Sequence, residues 1–309
     1  MKETTRRNFL FVAGNCAAAG FLLAGCKTME AMNKMMDVVS VDVGPVSSSQ
    51  AQSLIKVGQA VAKTFESFTP EQEYYIGRTI GAMVLQKYPA FDSVLANTYI
   101  NVMGQTLAAA SDRPDTFAGY RFQIQDSEEI NAFAAPGGFV FVTRGLIRCC
   151  KDEDSLAAVL AHEIGHIQGK HGLQAIKQSR ITHAVTTLGL EGAKQLGGKE
   201  ISALTQTFEE SISDITNTLI VNGYSRIQEK EADLAAVEIL NRVGYSPHGL
   251  IAMLNQMQTR LKPGTSDFAR THPLPEDRIQ ALEPVLGSFA PYQHPRPRLL
   301  RFNTAISWI

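Results

Sequence analysis

The pattern His162-Glu163-Ile164-Gly165-His166 constrains this chain more than any other feature. It lies in EDSLAAVLAHEIGHIQ at 153–168, where Leu156, Val159, Leu160, Ile164 and Ile167 recur at the three- and four-residue spacings of an amphipathic helix, with Asp152 placed to cap it. Residues i and i+4 share one helix face, so both imidazoles can reach a single ion. Glu163, beside the first of them, can reach a metal-bound water. This is the spacing of a zinc hydrolase, and it imposes a condition on the rest of the fold. Catalytic zinc takes three protein ligands and keeps one position open, so another element must be brought against this helix.

The third ligand is not nearby in sequence. Position 172 is glycine, and His171, five residues beyond His166, lies off the shared helix face. The helical stretch RIQEKEADLAAVEILNR at 226–242 offers Glu229, Glu231 and Asp233. Glu229 and Asp233 are four residues apart and share a face, whereas Glu231 points elsewhere. A His2Glu site with Glu229 as ligand leaves Asp233 to accept from the non-metal nitrogen of a ligand histidine.

The remaining chain is mainly helical. Apolar spacing predicts a helix over 51–67. Thr69, Pro70 and Gln72 form the start of another that runs to about Tyr88, and a third covers about 92–110. The period changes to two at Tyr120–Gln125. Short strands are expected at 130–134 and 139–143, the latter two pairing as a hairpin through Pro136-Gly137-Gly138. Helical stretches follow at 172–195 and 200–222. After the 226–242 helix, ended by Gly244, others are expected from Pro247 to Arg260 and near Asp277–Leu286, with a polar linker between them. The proline-bearing segment 287–309 is expected to run extended along the surface.

Residues 1–25 are read separately. Arg6 and Arg7 in TRRNFL resemble a twin-arginine export signal, and LAGC at 23–26 resembles a lipoprotein cleavage box, which makes Cys26 the lipidation site. A tether spans 26–50. The chain carries 29 basic and 30 acidic residues without a basic stripe, which argues against a nucleic-acid partner. Four cysteines among 309 residues are too few for a disulfide scaffold, and the adjacent Cys149 and Cys150 are expected to be structural thiols.

Five ordered blocks resemble the M48 family of zinc metallopeptidases, in its bacterial periplasmic lipoprotein branch. They are TPEQEYYIGRTIG (69–81), NAFAAPGGFVFVTRGLI (131–147), DEDSLAAVLAHEIGHIQGKH (152–171), YSRIQEKEADLAAVEILNRVGYSP (224–247) and THPLPEDRI (271–279). The resemblance implies an α+β fold: a mainly helical, zincin-like metallopeptidase domain over 51–286, with a small, mostly antiparallel sheet beside the HExxH helix. It implies one zinc per chain, held by His162, His166 and Glu229. It also brings His272 and Arg278 close to the metal, His272 as a contact to the reacting centre or a fourth ligand that blocks the resting site, and Arg278 as a brace for His272 or for the helix of Glu229.

The chemistry expected is peptide hydrolysis with Glu163 as general base. The substrate chain would add as a strand along an exposed sheet edge, supplied by Asn131–Ala134, with Asn131, Ala132 and Phe133 as contacts, or by Gly138–Val142, beginning at Gly138. Polypeptides of the cell envelope, misfolded or misassembled, are the expected substrates, with the envelope assembly machinery as a partner. The body is expected on the periplasmic side of the outer membrane, held by a lipid on Cys26. The alternative from another class is a non-catalytic envelope chaperone or assembly factor in which zinc is structural.

Overall fold

A computed structural model of the chain describes residues 68–177, 223–260, 272–290, 293, 295–306 and 309. The export signal, Cys26, the tether, the 51–67 helix, most of the 172–195 stretch, the 200–222 stretch and most of the linker after Arg260 lie outside the described residues.

The elements begin with helices α1 (Pro70–Lys87) and α2 (Val94–Ala109), then strands β1 (Arg121–Gln125), β2 (Ala132–Ala135) and β3 (Phe139–Thr143). Helices α3 (Arg144–Ile147), α4 (Glu153–Gln168), α5 (Arg226–Arg242), α6 (His248–Arg260), α7 (Pro275–Leu286) and α8 (Arg296–Ile306) follow. A further helical segment over 171–177 sits between α4 and α5. The starts are set by caps visible in the sequence. Thr69 and Gln72 form a reciprocal capping box, Ser225 and Gln228 form another, and Asp152 accepts from Ser155 N–H at 2.8 Å. The α2 helix starts at Val94, where Ser93 takes the cap.

The sheet is mixed, in the order β1-β3-β2, with β1 parallel to β3 and β2 antiparallel to it. Its period-two pattern sorts side chains to two cores. Ala132, Ala134, Val140 and Val142 face the larger one with α2, α4, α5 and α6, whereas Phe133, Ala135 and Phe141 face α1 through Ile80, Val84 and Tyr88. The β1 edge is closed by α2: Asn101 pairs with both Phe122 N–H and C=O, and Asn97 accepts from Ile124 N–H. Among the described strands, β2 is the other edge.

Every residue of α4 from Glu153 to Ile167 is buried. This HExxH helix is the centre of the described body, with α5 packed closest to it. Gly165 makes that approach feasible, because a Cβ there would meet the Ala232 backbone oxygen at 2.8 Å.

The C-terminal segment differs from the extended tail expected of it. Residues 296–306 form α8, and Phe302, Ala305, Ile306 and Ile309 are buried in the main core. The prolines do not prevent this, because Pro295 and Pro297 flank the helix start, where no intrahelical N–H bond is lost. From α8, Arg301 donates to Glu153 at 2.5 and 3.0 Å, and Arg298 donates to Asp154 at 2.8 Å. Tyr99 and Tyr245 also donate to Glu153. The first turn of α4 is therefore clamped by residues distant in sequence.

Candidate metal centre

The α4–α5 contact brings the histidines to Glu229. The Nε2 atoms of His162 and His166 lie 3.1 Å apart, and they lie 3.6 and 3.4 Å from the Glu229 oxygens. His272, just before α7, points Nδ1 at both Glu229 oxygens, at 3.0 and 2.9 Å. One ligand atom from each of His162, His166, Glu229 and His272 fits within 4.8 Å of the others, and all four residues are buried. Two or three imidazoles with one carboxylate are a donor set suited to a first-row divalent ion such as zinc.

Behind the donors stand two separate supports. Asp233 Oδ1 accepts from His162 Nδ1 at 2.9 Å, and Arg278 grips Asp233 through Nη2 at 2.6 Å and Nε at 3.0 Å. Arg278 thus acts on the helix of Glu229 through Asp233, and its Nη2 also lies 3.2 Å from His162 Nδ1. On the other side, His166 Nδ1 lies 2.9 Å from His171 Nδ1, and His171 Nε2 lies 3.1 Å from Glu231 Oε2. Glu231 points away from the donor cluster, as its helix position requires, and its partner there is His171. Tyr224 stacks on His166 with ring centroids 4.1 Å apart and donates its hydroxyl to Ala134 C=O at 3.0 Å.

Charge in the cluster follows these contacts. Burial alone would raise the Glu229 carboxyl, but His272, His162 and His166 hold it far below the usual carboxylate range. Burial likewise opposes ionisation of Asp233, and Arg278 and His162 overcome it to bring the group to about 2. His162 is disfavoured as a cation by burial and by Arg278, yet Asp233 and Glu229 lift it to about 9. His166 lacks such a carboxylate on its far nitrogen, and burial takes it down to about 3. Glu163 is raised by burial, an effect that His272 and His162 only partly offset.

Glu163 is 2 % exposed, and its Oε2 has no hydrogen-bond partner among the described residues. It borders a cleft lined by Ile80, Val84, Ala132–Ala135, Tyr224 and His272. Of the residues expected to hold a substrate, Ala132 and Phe133 border this cleft. Asn131 is buried at the head of β2, where its Oδ1 accepts from Ala132 N–H and its backbone pairs with Thr143. The segment beginning at Gly138 is not a sheet edge. Gly138 leads directly into β3, the central strand, and its carbonyl already accepts from Arg121 N–H.

Sequence reasoning missed His171 and Tyr224. His171 was set aside on helical spacing, but α4 stops at Gln168, so that spacing no longer applies. The visible signal was Gly169, two residues before it, which caps the helix. Tyr224 immediately precedes the Ser225 cap, and nothing local marks it as a partner of His166.

The sequence profile of peptidase family M48 matches residues 95–285, more than half of the chain. The β-barrel assembly-enhancing protease of Escherichia coli (strain K12) is 27% identical over 241 residues, 77% of this chain and 48% of that protein. The mitochondrial metalloendopeptidase OMA1 of Schizosaccharomyces pombe (strain 972 / ATCC 24843) is 32% identical over 155 residues, 50% of this chain and 42% of its own. The metalloprotease YcaL of Escherichia coli (strain K12) is 25% identical over 167 residues, covering 54% and 62%. The chain spans about half the length of the first of these. The matched span runs from α2 through α7 and contains every donor of the cluster, and the chain belongs to peptidase family M48.

Proposed function

We propose that the chain is a zinc endopeptidase acting on extended polypeptides, with His162, His166 and Glu229 holding one zinc and Glu163 serving as general base. The observation that carries this reading is the buried Glu163 carboxylate, one oxygen of which has no hydrogen-bond partner among the described residues, beside three converging donors and facing a cleft. A purely structural ion has no use for such a group.

Zinc, when bound, supplies Lewis acidity that acidifies a water and stabilises a developing oxyanion. The chain's own residues do the rest. Glu163 accepts the proton of the attacking water and delivers it to the leaving amine, and burial favours this by bringing its affinity for a proton closer to that of its task. Asp233 keeps the His162 proton on Nδ1, leaving Nε2 as donor. The β2 edge is the side of the sheet on which a substrate strand would add, because the β1 edge is occupied by Asn97 and Asn101. His272 belongs to the donor cluster, which supports a resting form in which it completes the coordination and must move for hydrolysis.

Envelope proteins, misfolded or misassembled β-barrels among them, are the proposed substrates, and the envelope assembly machinery is the proposed partner. This draws on the name of the Escherichia coli relative and on the LAGC box. A lipid on Cys26 would hold the protein to the periplasmic face of the outer membrane, after twin-arginine export. No helix among the described residues is long and apolar enough to cross a membrane. Changing Cys26 to Ser should leave an unlipidated chain, soluble or with its signal uncleaved, and of altered mass. Unchanged fractionation and mass would refute the anchor.

The test of function is cleavage of an unfolded casein by the zinc-loaded protein. Glu163→Gln should lower the rate by about 10²–10⁴-fold with zinc content unchanged. Equal rates would refute the base assignment. If neither protein cleaves, His272→Ala decides. Activity gained supports a self-blocked protease, and continued silence with zinc bound supports the chaperone reading.

A further inference from the structure

His171 is fully buried beside the metal donors, and the hydrolytic chemistry proposed above gives it no task. Its placement is built deliberately into the backbone. Helix α4 ends at Gln168, Gly169 caps it, and Lys170 adopts φ 54°, the left-handed region that non-glycine residues seldom occupy. Lys170 is the one non-glycine residue with positive φ among the described residues. The turn swings the His171 imidazole back over Gly169, where any Cβ would collide with the ring. A side chain that helical spacing sends away from His166 thereby reaches it, Nδ1 to Nδ1, at 2.9 Å.

The donor and acceptor roles then follow from valence. An ion on His166 Nε2 takes that lone pair, so the His166 proton resides on Nδ1 and must be donated. His171 Nδ1 is the acceptor. A neutral His171 then carries its own proton on Nε2, which faces Glu231 Oε2 at 3.1 Å. One assignment satisfies all three groups. His162 has a different arrangement, in which Asp233 accepts directly and Arg278 holds Asp233.

We infer that His171, backed by Glu231, is the positioning residue for the His166 ligand: through the Lys170 turn it fixes the His166 ring and the proton on its Nδ1, so that Nε2 is presented to zinc. This rests on the zinc reading above. The role is indirect, since His171 touches the ligand and not the ion, and outer partners of this type are typically worth about 10–100-fold in metal affinity.

The experiment is zinc affinity by competition with a chromogenic chelator, on the full chain, together with the visible spectrum of the cobalt-substituted protein. His171→Phe keeps the volume and removes the acceptor. It should weaken zinc by about 10–100-fold and alter the cobalt bands. His171→Asn restores an acceptor near the Nδ1 position and should recover part of that loss. Glu231→Gln should cost several-fold alone and nothing further when combined with His171→Phe, because its effect passes through the imidazole. His171→Phe within twofold of wild type overturns the inference, and so does His171→Asn no better than His171→Phe when both are folded by circular dichroism. If His171→Phe does not fold, Glu231→Gln decides. Glu231 is 59% exposed, so its replacement tests the relay without opening the core, and wild-type affinity there overturns the inference. A wild-type chain that takes up no zinc refutes the zinc reading itself, a separate result from equal binding by wild type and variant.

Discussion

Arg278 and Asp233 form a buried two-point ion pair, Nη2 to Oδ1 at 2.6 Å and Nε to Oδ2 at 3.0 Å, that ties α7 to α5 directly behind His162. Both partners are below 6% exposed, so neither charge has water to fall back on. Lysine cannot reproduce the fork. Arg278→Lys should lower zinc affinity by about 10–100-fold, and Arg278→Ala should in addition destabilise the fold by about 3–5 kcal/mol, since it strands the Asp233 carboxylate. Chelator competition and urea denaturation measure the two effects separately. Wild-type values in both would remove Arg278 from the site.

The choice of Glu229 over Glu231 as ligand is checked by metal content. At saturating zinc, Glu231→Gln should retain one ion per chain, whereas Glu229→Gln should lose it or hold it too weakly to survive gel filtration. The difference arises because Glu229 is 1% exposed and faces both Nε2 atoms, while Glu231 reaches only the far side of His171. A site emptied by Glu231→Gln and preserved in Glu229→Gln would reverse the assignment.

The C-terminal helix should contribute to stability rather than to chemistry. Phe302→Ala removes a buried ring from the main core and should cost about 3–5 kcal/mol. For a domain of this size each kcal/mol lowers Tm by roughly 2–4 °C. Arg301→Ala should also destabilise, because Glu153 at the first turn of α4 loses its cation. A thermal melt unchanged by Phe302→Ala would mean that α8 does not pack on the core.

Cys149 and Cys150 should behave as inert thiols. Burial pushes the Cys149 thiol up to about 11 and holds the Cys150 thiol well above the usual thiol range. Peptide mass spectrometry after iodoacetamide at neutral pH should find both unmodified in the native protein and modified in denaturant. The sign of the pH effect is fixed by the same shifts. In the unfolded chain the thiols ionise near 9, while the fold keeps them protonated, so stability should be lost as pH rises from about 9 through 11. Rapid native alkylation, or stability constant across that range, would contradict their burial.

What could be read from the sequence was what lies within one or two turns of chain. The HExxH face, the Asp152 cap, the Thr69–Gln72 box and the limits of α4, α5 and β3 depend on spacing and on side-chain-to-backbone bonds three residues long, so the order of residues determines them. The local prolines of the C-terminal segment misled for the same reason. They speak only for the helix start, and the burial of Phe302, Ala305, Ile306 and Ile309 depends on a core assembled elsewhere. Tertiary structure alone decided the contacts that complete the site. His272 meets Glu229 across 43 positions, Arg278 reaches His162 across 116, and Glu231 reaches His171 across 60. His171 shows why no spacing rule finds these. One left-handed residue, Lys170, ends the helical period and turns the next side chain back onto a ligand, a placement that helical spacing does not describe and that Gly169 permits by leaving room for the ring.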